Sequence, residues 1–433
     1  MNLKDFVLIL SISMGTFLTS CNAKQENNSE ILEEQPTSDA LPKGMKMVWN
    51  DEFNGTELDT SKWWDRYFSS LDWFNKDALE AFENGQLPPA DYEFTGNSII
   101  LRATDNYYPG ANRQISSIQT YNWENNTNMM DNAIGGFFET RIRRDIGENG
   151  DRVNLAFWFD SPGPDLKYYL EEGGEAHNTK GIRPRGQLFE IDLCEYITTE
   201  IVLHGNVDKN GKFERNIGHY IHKGDFKGKW VTHSMLWSPA GLKFYIDGEL
   251  IKEWWDSNDI KSPNHAMNMF FGAYGVDDVS MEIDYVRYYQ WELEGNNLMP
   301  NGNFEYSDKL FPWEGLGAIT KDGAYDGAQA VVIDSGKDIE QYVYLEPNSD
   351  YQLTLWAKGD GEIKIDADNI KSVVGTSESN FQASHRVSDE YKQYSLSLST
   401  LDEHEGNMRT VKVSIANIGD GAVVVDKVEL IKK

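Results

Sequence analysis

From Met47 onward the chain consists of short apolar or alternating runs separated by turn residues, the pattern of successive β-strands. The stretches 98–103 and 231–237 are two such runs. Asp208-Lys209-Asn210-Gly211 and Asp247-Gly248 carry hairpin-turn chemistry. Helical periodicity is scarce, and residues 76–84 are the best candidate for a short helix. Many strands without a β-α-β rhythm predict an all-β sandwich. Two segments near the start depart from this pattern. Residues 22–44 are polar and acidic, lack hydrophobic periodicity and read as a disordered tether. Residues 6–18 are apolar and follow Lys4; the run is too short to span a bilayer and reads as the core of a signal peptide.

One strand-like run breaks the hydrophobic rule. Glu190-Ile191-Asp192-Leu193-Cys194-Glu195 places three carboxylates between Gln187-Leu188-Phe189 and Tyr196-Ile197. Burying an ionised carboxylate is costly, and crowded carboxylates push one another's pKa values apart. Glycoside hydrolysis uses that division: one carboxylate ionised as nucleophile, one protonated as acid. In a regular strand Glu190 and Asp192 share a face, whereas Glu195 does not. A single β-bulge between Asp192 and Glu195 adds one residue and returns Glu195 to that face. A retaining pair needs carboxyl groups roughly 5–5.5 Å apart. Four regular strand steps separate α-carbons by about 13 Å, so converging side chains, curvature and the bulge must close the gap.

Glu-Ile-Asp-x-x-Glu resembles the signature of the family 16 glycoside hydrolases in its bulged form. That family includes laminarinases, agarases, porphyranases, carrageenases and some mucin O-glycan-cleaving enzymes. Trp49-Asn50-Asp51-Glu52-Phe53-Asn54-Gly55 is similar to the family's opening strand and turn. Gly135-Gly136-Phe137-Phe138-Glu139-Thr140-Arg141-Ile142 and Ala156-Phe157-Trp158-Phe159 resemble two of its inner strands. Phe244-Tyr245-Ile246-Asp247-Gly248 and Ile283-Asp284-Tyr285-Val286-Arg287-Tyr288-Tyr289 resemble its closing strands. The resemblance runs over about residues 45–291 in the family's order. It implies a curved two-sheet jelly roll with an open cleft on the concave face. Carried over by position, Glu190 is the nucleophile, Glu195 the acid/base and Asp192 the residue that tunes their protonation.

Further residues follow from the same resemblance, each beside a plainer reading. Trp158 would floor the cleft, although a lone Trp in a strand is more often core. Trp123 and Trp255 are weaker substrate-binding candidates. Trp254-Trp255 in a strand sends one ring to each face, so one of the two should be core. His204 occupies a position where the family often has a His near the acid/base; the alternative is a hydrogen-bonded structural His. Asp284 matches a position that supplies a ligand to a structural calcium, against the alternative of a solvated carboxylate. No cofactor is required for the chemistry. Residues 161–185 form an insertion that laminarinases lack. Arg183 and Arg185 at its end could grip sulfate or uronate groups, or be ordinary solvated loop charges.

A second β-rich stretch, 297–433, follows the expected closing strand and resembles carbohydrate-binding modules of families 4, 9 and 22; binder and spacer both remain open. The expected organisation is a signal peptide at 1–20, a tether at 21–44, a catalytic β-sandwich at 45–292 and a smaller β-sandwich at 297–433. The 40 basic and 70 acidic residues give a formal charge of −30, which excludes nucleic acid and anionic membrane surfaces as electrostatic partners. Abundant Trp, Tyr and Phe suit the apolar ring faces of sugars. Two cysteines exclude a disulfide scaffold. Leu18-Thr19-Ser20-Cys21 resembles a lipobox, which implies lipidation at Cys21 and anchoring at the cell envelope, exposed on the outer membrane, with plain secretion as the alternative. Cys194 is expected to point away from the cleft into packing. The functional expectation is a monomeric, endo-acting, retaining hydrolase of a β-linked polysaccharide. The basic insertion tilts the substrate towards a marine galactan of the agarose, porphyran or carrageenan type. A β-1,3-glucanase, a transglycosylase and a non-catalytic glycan-binding lipoprotein are the alternatives.

Overall fold

Alternation along the strands builds two sheets whose inner faces meet. The computed structural model describes residues 38–433 except 105, 163–174, 177–178, 181–187, 206–215, 258, 372–379 and 401–406. The front sheet has six antiparallel strands in the order Gly218–His222, Thr199–His204, Glu190–Cys194, Asp151–Asp160, Asn268–Val276 and Gln114–Gln119. The back sheet has eight. Its centre is Gly136–Ile146, flanked by Trp230–Ser238 and Val279–Trp291, and the opening strand Met45–Asp51 pairs with the last of these. The expected all-β sandwich class is what the chain adopts.

The core lies between the two sheets. Leu155, Phe157, Phe159, Ile191, Leu193, Met269 and Phe271 enter it from the front; Phe138, Ile142, Met235, Phe244, Ile283 and Tyr288 enter from the back. Phe157 stacks on Phe271 with centroids 4.5 Å apart, and Phe138 on Tyr288 at 4.4 Å. Burying such rings stabilises the fold by about 1.5–3 kcal/mol each, so the front sheet is held rigidly from behind. Trp254 packs against this core, whereas Trp255 does not; the pair divides between faces as the strand period requires.

The Asp247-Gly248 turn joins Gly241–Ile246 to Glu249–Trp255, with φ of 48° and 81° at its two residues. Both angles lie in the left-handed region that such a two-residue hairpin demands, which is why Gly follows Asp here. The expected helix is present as Lys76–Glu83, with the Asn75 side chain accepting from Ala78 N at 3.3 Å. Residues 38–44, expected within the tether, are instead ordered. Leu41 N donates to Ser38 O, and Ala40 and Leu41 pack on the cluster of Phe137, Leu236 and Tyr289. Two apolar residues among the polar ones suffice to pin this stretch. The signal peptide, Cys21, the insertion arginines Arg183 and Arg185 and the Asp208–Gly211 turn (208–211) lie outside the described residues.

The second sandwich has two five-stranded sheets, Glu314–Gly315, Asp338–Tyr344, Asn407–Asn417, Glu362–Lys371 and Asn380–Arg386 in one, Ala318–Thr320, Ala330–Ile333, Val423–Lys432, Asp350–Gly359 and Lys392–Ser399 in the other. Its core of Val331, Leu353, Leu355, Ile365, Val413 and Val425 is separate from the first. Residues 38–433 form one compact unit. Among the described residues, no helix is long and apolar enough to cross a membrane.

Candidate active site

The carboxylate strand Glu190–Cys194 lies between Asp151–Asp160 and Thr199–His204. Glu190 faces Asp160 and His204, and Asp192 faces Trp158 and Val202. The register then shifts between Asp192 and Cys194, with Cys194 opposite Phe157. This is the bulge that the spacing of the three acids demanded. Leu193 and Cys194 both enter the core behind the sheet, and Glu195 follows on the far side of the irregularity. Cys194 is a free, fully buried thiol whose pKa burial raises; it packs and does not react.

Glu195 is fixed by Asn154, two strand steps past Ala156 on the neighbouring strand. Asn154 Nδ2 donates to Glu195 Oε1 at 2.7 Å, while its Oδ1 accepts from Tyr196 N at 3.1 Å. One amide thus orients the carboxyl and the turn after it. That turn is held from behind as well. The Arg144 guanidinium, 2% exposed, reaches from the back sheet to Tyr196 O at 2.7 Å, Thr198 O at 3.2 Å and Thr199 Oγ1 at 3.2 Å. Nearby, His219 Nε2 contacts Glu200 Oε1 at 2.5 Å.

The electrostatics separate the carboxyls. Asp192 is 3% exposed; burial holds its carboxyl well above the usual range, and the charges of Glu190 and Glu195 push it further. Burial also raises Glu195, only partly opposed by the Asn154 hydrogen bond and by Arg113 and His219. Protonated forms are therefore favoured at Asp192 and Glu195.

His204 sits opposite Glu190, its Nε2 4.0 Å from Glu190 Oε1 and 3.7 Å from Asp192 Oδ2. Glu190, Asp192 and His204 are the described group whose geometry could hold a metal ion. The hydrogen bonding argues otherwise. Asn216 N donates to His204 Nδ1 at 3.1 Å, which leaves Nε2 as the protonated nitrogen in the neutral ring. A metal-binding imidazole donates through its other nitrogen instead. His204 thus presents an N–H to the acids.

Trp158 lies on the acids' face, stacked on Phe270 at 4.1 Å with Nε1 donating to Tyr274 Oη at 3.1 Å. Tyr67 and the loop around it pack against this aromatic group. Two candidates are corrected. Trp123 is 2% exposed and walled in by Phe68, Trp73 and Tyr121, so its ring has no face to offer a sugar; the loop preceding the helix covers it. Trp255 belongs to the back sheet, where its Nε1 donates to Glu314 of the second sandwich. It serves the contact between the two sandwiches and not the acid-bearing face. Asp284 pairs with Arg141 at 2.7 Å.

Asp160, one step beyond Phe159 on the Trp158 strand, was missed by sequence reasoning. It is fully buried, accepts from Ser70 N at 2.8 Å, shares a short contact with Ser70 Oγ, and is pushed up to about 7 by burial. It ties Ser70–Phe74 to the site. The native state keeps a proton that the unfolded chain, with the ordinary value of 3.8, has released. Its contribution to stability is thus complete below about pH 4 and falls as pH rises towards 7, by up to about 4 kcal/mol at 1.4 kcal/mol per pH unit. In Asp160→Asn the amide oxygen keeps accepting from Ser70 N, and the Ser70 hydroxyl, which donates to Asp160 Oδ1, turns so that its oxygen accepts from the amide N–H. Thermal unfolding between pH 4 and 8 is expected to show a shallower loss for this variant, with the variant more stable than wild type at pH 8. Parallel pH curves for the two proteins would remove Asp160 as the titrating group.

Residues 179–291 match the model of the glycosyl hydrolases family 16. The chain is 23% identical over 313 residues to glucan endo-1,3-beta-glucosidase A1 of Niallia circulans, a match covering 64% of this chain and 42% of that protein; it thus spans less than half of that relative's length. Among solved structures it is similar to the GlcNAcα1-4Gal-releasing endo-β-galactosidase of Clostridium perfringens, with 19% identity, TM-score 0.42 and coverage of 70% and 73% of the two chains. A laminarinase from Flavobacterium sp. UMI-01 gives 17% identity, TM-score 0.39 and coverage of 57% and 100%. Glu190, Asp192 and Glu195 all lie within the stretch that is similar to glycosyl hydrolases family 16.

Proposed function

We propose that this protein is an endo-acting glycoside hydrolase that cleaves a β-linked polysaccharide with retention of configuration. The observation that carries this reading is the register shift between Asp192 and Cys194, which allows Glu195 to rejoin Glu190 and Asp192 on one face. Glu190 attacks the anomeric carbon while Glu195 protonates the leaving oxygen. Glu195 then takes a proton from water, and that water releases the sugar from Glu190. Asp192, buried and biased towards its protonated form, shields the two glutamates from a third charge. The His204 N–H offers Glu190 and Asp192 a donor that steadies the anionic form of the nucleophile. A lipid at Cys21 would hold the enzyme at the envelope surface, where polymeric glycans arrive.

For the substrate we propose a galactan of the agarose, porphyran or carrageenan type, supported by the basic residues of the 161–185 insertion. The activity of the curated relative favours β-1,3-glucan as the second reading. Oligosaccharide release by the full chain, with Glu190→Gln as control, separates them. The panel holds laminarin, mixed-linkage glucan, agarose, porphyran and the carrageenans. Release from one galactan is the expected result. Release from laminarin alone would assign the glucan, and silence across the panel with retained binding would leave a glycan-binding protein.

A further inference from the structure

Two arginines stand at the Glu195 end of the acid-bearing face, and the chemistry described so far uses neither. Asn154, which holds Glu195, lies opposite Tyr274 on the next strand. Arg113, just before the strand Gln114–Gln119, reaches back over Tyr274, its guanidinium carbon 5.4 Å from the ring centroid. That ring belongs to the same face, since Tyr274 Oη accepts from Trp158 Nε1. Burial raises both Glu195 and the Tyr196 hydroxyl, and the charge of Arg113 opposes the rise at each. Arg152 joins Arg113 from the neighbouring strand. Its Nη1 donates to Asn112 O at 2.8 Å, which sets its guanidinium beside the loop that carries Arg113. The register shifts here between Tyr274 and Val276, and Arg152 has φ of 52°. Such an irregularity re-aims a side chain.

Arg113 is set apart by what it lacks. Elsewhere arginines meet carboxylates: Arg66 meets Asp65, Arg141 meets Asp284 and Arg287 meets Glu52. Among the described residues Arg113 is in ion-pair contact with no carboxylate, and its guanidinium donates no hydrogen bond. It is nevertheless partly buried, in a chain with 70 acidic residues available to pair with it. A partly desolvated charge without a counter-charge is costly. Arg152 touches Asp151 at 3.8 Å, an exposed pair of little strength. Of the acids nearby, Glu195 is biased towards its neutral form and Glu200 is engaged by His219. An oxyanion brought by a ligand therefore meets two guanidinium forks that match its geometry. A neutral sugar would leave the charge of Arg113 unanswered. Tyr196, 45% exposed and next to Glu195 in the chain, offers a ring to the sugar that carries the oxyanion.

We propose that Arg113 and Arg152 form a subsite for an acidic substituent, a sulfate ester or a carboxylate, on the leaving-group sugar, whose oxygen Glu195 protonates. The proposal rests on the catalytic reading of Glu195 and deepens it, making the substrate an anionic glycan selected at the bond that is cut.

The test is calorimetric titration of the full-length Glu190→Gln protein with matched pairs of hexasaccharides. Porphyran and carrageenan fragments are compared with their desulfated forms, and a laminarin fragment with its C6-oxidised, uronate form. The anionic member of one pair is expected to bind about 10–100-fold more tightly than its neutral partner. Preference within a porphyran or carrageenan pair assigns a sulfate ester; preference within the laminarin pair assigns a carboxylate. Arg113→Gln is expected to bring the ratio of the two affinities close to one. Arg113→Lys should keep part of it, because an ammonium retains the charge without the fork. Arg152→Gln, altering the more exposed partner, should lower the ratio by less. Circular dichroism checks that each variant is folded. Equal affinity for anionic and neutral forms in the parent overturns the subsite, as does absence of binding throughout. So does an unchanged ratio in folded Arg113→Gln, including a loss shared equally by both forms, which would make Arg113 a brace for Tyr274. Failure of the catalytic reading looks different: wild type would release nothing from the polysaccharide panel, while the anionic preference and its loss in Arg113→Gln would persist.

Discussion

Glu190→Gln is expected to lower kcat by at least about 10⁴-fold while leaving oligosaccharide binding close to wild type, because an amide keeps the shape of the carboxylate but cannot form the glycosyl-enzyme bond. Glu195→Gln is expected to cost about 10²–10⁴-fold on natural glycosidic bonds. The two variants part on substrates with an activated leaving group. An aryl glycoside whose phenol departs as the anion needs no proton, so Glu195→Gln should still form the covalent intermediate and show a burst before slow deglycosylation. Glu190→Gln should show no burst. In wild type, kcat/KM should follow a bell against pH, its alkaline limb set by Glu195, whose carboxyl burial raises. That limb should disappear from the burst phase of Glu195→Gln. Equal loss on activated and natural substrates would remove Glu195 as the acid.

The grouping of the three acids was legible because three acids in a strand have few physical excuses, and their uneven spacing dictates one extra residue. The bulge appears between Asp192 and Cys194 as the spacing required. The inward turn of Cys194 was legible for the same reason. Strand and sandwich class followed from alternation, and the Asp247-Gly248 hairpin from the demand for positive φ. What escaped was long-range partnership. Nothing local distinguishes Trp123 under a loop from Trp123 on a platform; the loop that buries it arrives from residues 68–82. Trp255 faces a second sandwich that is remote in sequence. Asn154 and Asp160 did leave a trace, since both share the strand parity of Trp158, so polar groups stood on the same face as the acids. Their partners Glu195 and Ser70 lie 41 and 90 positions away.

Arg144 left the clearest unused trace. It shares the inward parity of Phe138 and Ile142 on Gly136–Ile146, and an arginine aimed into a core has to find acceptors. It finds the carbonyls of Tyr196 and Thr198 in the turn that follows Glu195, and the hydroxyl of Thr199 where the next strand begins. Hydrogen bonds from a charged donor contribute about 1.5–3 kcal/mol each, and unmade buried acceptors cost a comparable amount. Arg144→Met, which fills most of the volume without donating, is therefore expected to destabilise the protein by roughly 3–5 kcal/mol in denaturant unfolding. Arg144→Lys should recover only part of that, because a single ammonium cannot span acceptors that a planar fork reaches together. The turn also carries Tyr196 in left-handed geometry with φ of 59°, held to Asn154 through its N–H. Once Arg144 releases it, Glu195 should lose its fixed approach to the leaving oxygen. The expected signature in Arg144→Lys is a fall in kcat with KM little changed, confined to natural leaving groups and absent from the burst on activated ones. A variant that loses stability but keeps kcat on natural substrates would show that Arg144 braces the two sheets without steering the acid.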